Sequence, residues 1–427
     1  MQVALFLILS ILTLQADIQL IKKENPDSNT TLLVIGGIHG NEPGGYFAAA
    51  TLAQHYTITS KNLWIIPNLN KESILANKRG IHGDMNRKFS HIKESDKDRK
   101  IVNEIKKIIL SKNVSLVLNL HDGHGFYRKE DKGNIFNPNA WGQTCVIDQC
   151  SLNQNQPFGN LNNIALTVKN NVNKKLLKKH HSFDVKNTKT KYEDEAMQLS
   201  LTYFAVTNNK PAFAIETSKN LSTLSQKVFY QLLAIEEYMK IMGIKFQRDF
   251  TLNEQNLAKI INNYGNLEIN HNILLNFSDI KKSLSFIPIK SKSNEFRFSH
   301  PLGGIKKVGR DYRVYIGNKL ITTLRPQYFE ISKSCPSRYS FVVDGEELSF
   351  SKASEIFVND DFKVVKSKNC RVNIIGYHKK GLKNEAGINV ELKNLQKRYS
   401  LDNAGKVYRV EFYHNDEFCS MFLVHFK

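Results

Sequence analysis

VIGGIHGNEPGGYFAAATL, residues 34–52, joins an apolar run to an alanine-rich helical pattern through a turn that is rich in glycine. The apolar run predicts a buried strand, and Pro43 followed by alanines predicts the first turns of a helix. In open α/β sheets, the side chains that carry chemistry gather where strands end. His39 and Glu42 lie at such a point, and imidazole and carboxylate groups both bind transition metals.

Strand and helix signals alternate around this stretch, from about residue 17 to residue 245. This alternation predicts an α/β domain in which a mixed sheet is flanked by helices. The predicted strands are LLVIGG, LWIIPNLN, VSLVLNLHDGHG and PAFAIET, and the predicted helices are PGGYFAAATLAQHY, DKDRKIVNEIKKIILSKN and LSQKVFYQLLAIEEYMKIMG.

The pattern changes beyond Phe246, where short segments alternate apolar and polar residues between glycine, asparagine and aspartate turns. YRVYIGNKLITTL and RYSFVVDGEELSF are examples, and Asp344 and Gly345 form a hairpin signal. We therefore predict two small all-β, sandwich-like domains, at 246–337 and at 338–427. The second is expected to be immunoglobulin-like.

The first 16 residues, MQVALFLILSILTLQA, form an apolar run that suits a signal peptide and is short for a membrane span. This predicts an exported protein without a transmembrane span after cleavage. The alternatives are a buried first strand or an uncleaved anchor.

The balance of 60 basic against 40 acidic residues gives a formal charge of +20. Such a charge favours polyanionic partners, although lysine scattered among asparagines is equally typical of a lysine-biased proteome. No RNA-binding signature or zinc-finger spacing is present, so no nucleic-acid partner is predicted.

Of the five cysteines, Cys145 and Cys150 could close a small loop in an exported protein. One cysteine must then stay unpaired within the chain, and the pairing is left open.

Two further predicted strands end in candidate catalytic side chains, because His121 follows VSLVLNL and Glu216 follows PAFAI. Two histidines and one carboxylate make a catalytic zinc site with an open coordination position. A partly desolvated carboxylate such as Glu216 suits the general base that a metal hydrolase needs. The alternative for Glu216 is a helix-capping or salt-bridging role.

The loop NKRGIHGDMNRKF, residues 77–89, contains Arg79, Asn86 and Arg87. Guanidinium and amide groups in a glycine-punctuated loop can grip a carboxylate and stabilise a developing oxyanion. Surface arginines are common, so the loop gains its meaning from the metal-ligand pattern around it.

Taken in order, these features resemble the carboxypeptidase A-like zinc metallocarboxypeptidases over roughly residues 30–245. The resemblance implies that His39, Glu42 and His121 bind zinc and that Glu216 is the general base. It further implies that Arg79 stabilises the oxyanion and that Asn86 and Arg87 bind the terminal carboxylate of the substrate. A substrate-contacting tyrosine is also implied, and the choice between Tyr192 and Tyr203 stays open.

The whole layout, with NLHDGHGFYR and NPNAWGQTCVIDQC, is similar to the peptidoglycan DL-carboxypeptidases that determine helical cell shape. This likeness implies a periplasmic, Zn²⁺-dependent enzyme that removes terminal meso-diaminopimelate from muropeptide tripeptides by cutting after γ-D-glutamate. Muropeptides are then the substrates, and other cell-shape proteins are candidate partners. Some members carry glutamine in place of the first zinc histidine, whereas this chain has His39.

The same likeness implies that Trp141 and Thr207 are neighbours of the substrate pocket. The alternative for Trp141 is a packed loop anchor. His124 lies three residues after His121, beyond the predicted strand end, which favours a role outside the ligand set.

Two other functions remain open from the sequence. One is a zinc amidohydrolase acting on N-acyl amino acids, because HGNEPGG also suits the aspartoacylase-like branch. The other is a non-catalytic cell-wall-binding protein. The apolar N-terminus and the β-rich part favour cell-wall work over the first, and the complete ligand set argues against the second.

Overall fold

The computed structural model describes residues 18–152, 156–367 and 370–427. The predicted signal peptide, residues 1–16, lies outside the described residues and stays a prediction. The contacts divide the chain into two compact units. One comprises the residues up to Ser73 together with Lys78–Thr251, and the other comprises Ile74–Asn77 together with Leu252–Lys427. Among the described residues, no helix has the length and apolar character that crossing a bilayer requires.

The first unit is built on a seven-stranded mixed sheet, which confirms the α/β prediction. The strands up to residue 251 are β1 Ile21–Lys23, β2 Thr31–Ile35, β3 Tyr56–Ile58, β4 Asn62–Ile66, β5 Val114–Gly123, β6 Phe126–Tyr127, β7 Phe136–Asn137, β8 Thr144–Ile147, β9 Asp184–Asn187, β10 Ala212–Ser218 and β11 Phe246–Arg248. The strand order of the seven-stranded sheet is β1-β4-β2-β5-β10-β8-β9, and β4, β2, β5 and β10 run parallel.

Helices cover this sheet. Because every residue of β2 and β4 is buried, both faces of the sheet are shielded from water, as in other largely parallel sheets. The helices up to residue 251 are α1 Pro43–His55, α2 Lys71–Leu75, α3 Arg99–Ile109, α4 Leu161–Val172, α5 Thr190–Glu193, α6 Leu201–Thr207 and α7 Leu224–Ile241. The 3₁₀ turns are Met85–Arg87, Asn173–Lys175, Lys179–His181 and Met197–Leu199.

The turn between β2 and α1 determines how closely the helix approaches the sheet. Pro43 occupies the first turn of α1, as the sequence predicts. A Cβ atom at Gly45 would lie 2.8 Å from the Leu120 carbonyl oxygen of β5. A larger residue would therefore push the start of α1, and with it Glu42, away from β5.

The second unit is rich in β-structure. Its elements are α8 Glu254–Ile261, β12 Asn266–Ile269, β13 Ile273–Asn276, β14 Ser283–Ile289, β15 Phe296–Phe298, β16 Gly303–Val308, β17 Asp311–Ile316, β18 Lys319–Tyr328, β19 Arg338–Val343, β20 Glu346–Ser351, β21 Glu355–Val358, β22 Asp361–Val364, β23 Arg371–Ile374, β24 Asn389–Glu391, β25 Val407–His414 and β26 Glu417–Phe426, with 3₁₀ turns at Leu392–Asn394 and Lys397–Tyr399. These strands form one three-stranded and three four-stranded sheets, in the orders β13-β12-β15, β14-β18-β17-β16, β20-β19-β22-β24 and β21-β26-β25-β23.

The last two of these sheets enclose one hydrophobic core. Phe341 and Phe362 from one sheet share this core with Phe412 and Phe422 from the other, and all four are buried. The predicted hairpin is present, since Val343 pairs with Glu346 around Asp344 and Gly345, both with positive φ.

The start of the predicted all-β part differs from the structure. Strand β11 pairs with β3 and so belongs to the first unit, and α8 is a helix. Asn253 caps α8 by accepting a hydrogen bond from the Asn256 amide, and Leu257 and Ile261 bury one face of the helix. The two predicted β domains lie in one compact unit, and the boundary at residue 337 stays a prediction.

One disulfide, Cys335–Cys419, joins the segment before β19 to β26. Cys145 and Cys150 are both free thiols, so the small loop considered from the sequence is not closed. The reason is that Cys145 is buried within β8, whereas Cys150 lies exposed beyond the end of that strand.

Changing both Cys335 and Cys419 to serine is expected to lower the free energy of unfolding of the second unit. The disulfide spans a sequence separation of 84 residues, and disulfides typically stabilise a folded chain by about 2–4 kcal/mol. Thermal denaturation would show a lower Tm for the double variant. Cys150→Ser, at an exposed free thiol, is the control and should leave Tm unchanged; equal Tm values for both variants would contradict the prediction.

Candidate active site and metal centre

Three strands of the first unit and the helix α1 bring the predicted catalytic side chains to one edge of the sheet. His39 follows β2, and Glu42 occupies the residue before α1. His121 lies near the carboxyl end of β5, and Glu216 is its direct register partner on the parallel strand β10. The sheet register therefore places the predicted base beside a predicted metal ligand.

The side chains of His39, Glu42 and His121 converge on one point and are all buried. The two Nδ1 atoms are 3.2 Å apart, and Glu42 Oε2 lies 3.1 Å from Nδ1 of His39 and 2.9 Å from Nδ1 of His121. Zinc ligands lie about 2.0–2.2 Å from the ion, which places them roughly 3–3.5 Å from one another. The three donor atoms therefore match the spacing of a tetrahedral metal site.

The electrostatics of this cluster favour an ionised glutamate. Burial by itself would raise the pKa of Glu42, but the two histidines beside it hold that pKa well below its usual range. Burial lowers the pKa of His121 and outweighs the opposing effect of Glu42. Burial also opposes the protonation of His39, yet the carboxylates of Glu42 and Asp84 raise its pKa. A divalent cation would therefore compete with a proton for His39.

Asp84 supports the first histidine and was not predicted from the sequence. Its Oδ1 lies 2.8 Å from His39 Nε2, and its Oδ2 accepts a hydrogen bond of 2.9 Å from Arg79 Nε. The backbone amide of Asn86 donates to Oδ1. A carboxylate behind a metal-binding histidine orients the ring and strengthens the ligand. The signal in the sequence was an aspartate in the same loop, two residues before Asn86.

Replacing Asp84 with asparagine is expected to weaken divalent metal binding by about 10- to 100-fold, because His39 loses the charge that orients its ring. Competition with a chromogenic chelator would measure this affinity. Asp249→Asn is a matched control, since Asp249 contacts His55 at 3.0 Å outside this site. Equal affinities for the two variants would exclude the proposed support by Asp84.

Two cations contact the outer oxygen of the glutamate ligand. Arg79 Nη1 donates to Glu42 Oε1 over 3.1 Å, and Lys219 Nζ lies 3.6 Å from the same oxygen. Both side chains remain accessible, with 46% and 36% of their surfaces exposed. Arg79 is a predicted site residue and Lys219 is not, although a cation three residues after a predicted base is a visible signal in the sequence.

Glu216 and Asp122 are carboxyl groups with an unusually high proton affinity. Burial and the negative charges of Glu42 and Asp122 raise the pKa of Glu216 well above its usual range. Burial raises the pKa of Asp122 to about 6. Asp122, which was not predicted, accepts hydrogen bonds from the Gly44 amide and the Thr217 hydroxyl and so ties α1 to the sheet.

Asn86 and Arg87 form part of the wall of a cavity of about 290 Å³ above the metal ligands. The Asn86 side-chain oxygen accepts a hydrogen bond from the Leu201 amide, which joins this turn to α6. The cavity is lined by His39, Glu42, Arg79, Asn86, Arg87, His121, Asp122, Gly123, His124, Trp141, Val146, Met197, Thr202, Ala214, Glu216 and Lys219. Of the predicted site residues, the structure brings together all but Thr207.

Thr207 lies outside the cavity, which corrects the prediction for this residue. It ends α6, is exposed, and donates its hydroxyl to the Tyr203 carbonyl oxygen. Thr202, at the start of the same helix, is buried and lines the cavity. A rise of five residues separates the two positions by about 7.5 Å along the helix axis, so Thr202 reaches the cavity and Thr207 does not.

His124 is exposed at the cavity and does not belong to the three-residue metal cluster. Tyr192 is 81% exposed, and neither it nor Tyr203 is among the residues that line the cavity. The predicted tyrosine role stays open.

Comparisons with known proteins agree with this geometry. The family model described as "Carboxypeptidase controlling helical cell shape catalytic" matches residues 3–262, and the model "C-terminal domain of metallo-carboxypeptidase" matches residues 332–427. No curated protein matches the chain.

Solved structures of the cell shape determinant protein Csd4 from Helicobacter pylori are similar to this chain over nearly its whole length. The apo form is 34% identical, with 96% of this chain and 100% of that chain covered and a TM-score of 0.91. The tripeptide-bound form has the same identity and coverage and a TM-score of 0.90. The mDAP-bound form, described as a D,L-carboxypeptidase, is 33% identical over 95% of this chain and 100% of that chain, with a TM-score of 0.91.

Proposed function

The chain belongs to the family of carboxypeptidases that control helical cell shape, and from this we propose that it removes terminal meso-diaminopimelate from peptidoglycan tripeptides. It is a metallocarboxypeptidase. The observation that carries the proposal is that the His-Glu-His cluster, Glu216 and the Asn86–Arg87 pair line the same cavity. The tripeptide- and mDAP-bound Csd4 structures support the choice of substrate.

The resident metal in this proposal is Zn²⁺, held by His39, Glu42 and His121. Two imidazole nitrogens and one carboxylate oxygen are a donor set of catalytic zinc sites, and three ligands leave a position open. When bound, the ion acts as a Lewis acid that polarises a carbonyl group and lowers the pKa of water.

The side chains of the protein divide the rest of the chemistry among them. Asn86 and Arg87 bind the terminal carboxylate, which brings the scissile amide over Glu216. Glu216 takes one proton from the attacking water as the new carbon–oxygen bond forms, and Arg79 donates hydrogen bonds to the oxyanion. Glu216 then passes the proton to the amine as the carbon–nitrogen bond breaks. Its raised pKa suits both transfers, because the carboxylate accepts a proton readily.

We further propose a periplasmic location, on the grounds of the apolar N-terminal run and the wall-derived substrate. The β-rich part is proposed to form two sandwich-like domains, of which the shared core of the last two sheets supports the second. Other cell-shape proteins stay candidate partners, and no nucleic-acid partner is proposed.

The test is a digest of purified muropeptides by the zinc-loaded protein, read by mass spectrometry. Loss of one diaminopimelate from the tripeptide, blocked by a chelator, is the expected result. Cleavage of N-acyl amino acids without any cleavage of tripeptide would favour the amidohydrolase alternative. Binding to sacculi by a protein that takes up no metal would favour a non-catalytic role.

Arg87→Ala is expected to raise KM about 10- to 100-fold for substrates with a free terminal carboxylate, because a charge-assisted hydrogen bond is lost. Steady-state kinetics on the tripeptide and on its terminal carboxamide would measure this. The carboxamide should be cleaved at similar rates by wild type and variant. An equal loss on both substrates would contradict the assignment of Arg87.

A further inference from the structure

We propose that Lys219 is a specificity-determining residue that binds the free α-carboxylate of the γ-linked D-glutamate, the residue on the acyl side of the scissile bond. This inference rests on the proposed function. It assigns to the cavity a second carboxylate-binding group, distinct from the Asn86–Arg87 pair.

The first observation is the position of the ammonium group. Lys219 lies just beyond β10 and three residues after Glu216, and its backbone amide donates to the Gly123 carbonyl oxygen over 2.7 Å. The Ser218 hydroxyl donates to the Gly125 carbonyl oxygen, and the Asn220 side chain accepts from the Gly125 amide. The backbone at Lys219 is therefore anchored to the loop after β5, while its side chain reaches the cavity.

The second observation is that the ammonium group has no strong partner of its own. Its ion pair with Glu42 Oε1, at 3.6 Å, is longer than a hydrogen bond. Nowhere in the described ranges does Nζ of Lys219 donate a hydrogen bond to another residue. A half-accessible cation without hydrogen bonds is available to an anionic group of a ligand.

The third observation concerns the charge of the cavity. The Glu42 carboxylate is shared by Arg79 and Lys219. A divalent cation bound by the His-Glu-His cluster would take up the charge of Glu42. Arg79 would keep its ion pair with Asp84, whereas the charge of Lys219 would be left uncompensated. The occupied cavity is therefore selective for anionic substrates.

Lys219 and Arg87 also come from different walls. Asn86 and Arg87 lie on a turn that is joined to α6, because the Asn86 side-chain oxygen accepts a hydrogen bond from the Leu201 amide. Just beyond this turn, the Phe89 amide donates to the Leu199 carbonyl oxygen. Lys219 belongs to the wall built from the ends of β5 and β10. When one wall holds the terminal carboxylate on the amine side of the scissile bond, the other wall is left for the acyl side.

The chemistry of the substrate supplies the matching anion. An ordinary peptide carries a neutral amide on the residue that provides the scissile carbonyl. A γ-linked glutamate instead carries a free α-carboxylate, which three carbon atoms separate from that carbonyl. Recognition of this group by Lys219 would distinguish γ-glutamyl substrates from α-linked peptides.

The experiment compares kcat/KM for two tripeptides, one with γ-D-glutamate and one with its α-carboxamide, D-isoglutamine. We expect wild type to prefer the glutamate form by about tenfold or more. Lys219→Met should lose about that factor on the glutamate form and cleave both at similar rates. Lys219→Arg, which keeps the charge, should retain part of the preference. A Lys219→Met variant that keeps the wild-type preference would overturn the proposal.

Two controls separate this role from a structural one. Lys240→Met removes a lysine that is ion-paired with Glu237 on α7, outside the cavity, and should leave both rates unchanged. A third tripeptide is amidated on the distal carboxylate of diaminopimelate. This amidation should change kcat/KM by the same factor in wild type and in Lys219→Met. If Lys219→Met instead cleaves the tripeptides with and without the distal carboxylate equally well, while wild type distinguishes them, the assignment of Lys219 to the acyl side is wrong.

Binding provides a readout besides turnover. In the Glu216→Gln protein loaded with zinc, calorimetry should show that Lys219→Met removes the difference in Kd between the two tripeptides. An active wild type that cleaves both tripeptides equally would overturn this inference alone. A wild type that cleaves neither would overturn the proposed function as well.

Discussion

Glu216→Gln is expected to lower kcat for tripeptide cleavage by about 10²- to 10⁴-fold, the usual contribution of a positioned acid–base group. Glutamine has nearly the shape of glutamate but cannot take a proton from water. Glu216 is not one of the three converging donor residues, so the metal content should stay near one ion per chain. Steady-state kinetics and metal analysis of the same preparation would measure both quantities.

The pH dependence of the wild type provides a second readout of the same residue. A general base acts only when deprotonated, so activity should rise with pH through the pKa of Glu216. Burial is the largest cause of its raised pKa, and burial persists when a metal offsets the charge of Glu42. The acid limb of kcat/KM should therefore lie above the usual glutamate range. Full activity of the Gln variant, with an unchanged acid limb, would exclude Glu216 as the base.

His121→Ala is expected to abolish both metal binding and turnover. The substitution leaves one imidazole and one carboxylate of the three converging donors, and it removes the ligand that contacts Glu42 over 2.9 Å. Zinc affinity should fall by several orders of magnitude, because a catalytic site with three protein ligands loses one of them. Chelation of the wild type should give the same loss, and added zinc should restore the wild type but not the variant.

His124→Ala is the matched comparison for metal content. His124 lies at the same cavity three residues further along, yet it is outside the converging cluster. The variant should bind one ion per chain with the affinity of the wild type. Loss of metal from His124→Ala, with retention by His121→Ala, would reverse the assignment of the ligand.

Local patterns predicted the elements that carry the site. The β2, β5 and β10 strands and the α1, α3 and α7 helices follow from apolar runs and helical periodicity, which depend on neighbouring residues. Because parallel strands end at one edge of a sheet, polar residues after those runs could be expected to meet there. The sequence thereby determined the order and type of the candidate ligands, base and anion-binding residues.

Side chains that act through distant contacts could not be found in this way. Asp84 supports His39 across 45 positions, and Asp122 reaches Gly44 across 78. The disulfide between Cys335 and Cys419 depends on how β26 lies beside the segment before β19. Thr202 and Thr207 belong to the same helix, and only its packing determines which end faces the cavity.

The sequence by itself determined an α/β domain, its candidate chemical groups and a β-rich second part, because each depends on composition and on spacing within one element. The tertiary structure decided which groups share a carboxylate, as Arg79 and Lys219 share Glu42. It also decided which cations are left available to a substrate. Those relations arise from the pairing of β5 with β10 and the approach of α1 to β5, contacts between residues far apart in the chain that no local pattern encodes.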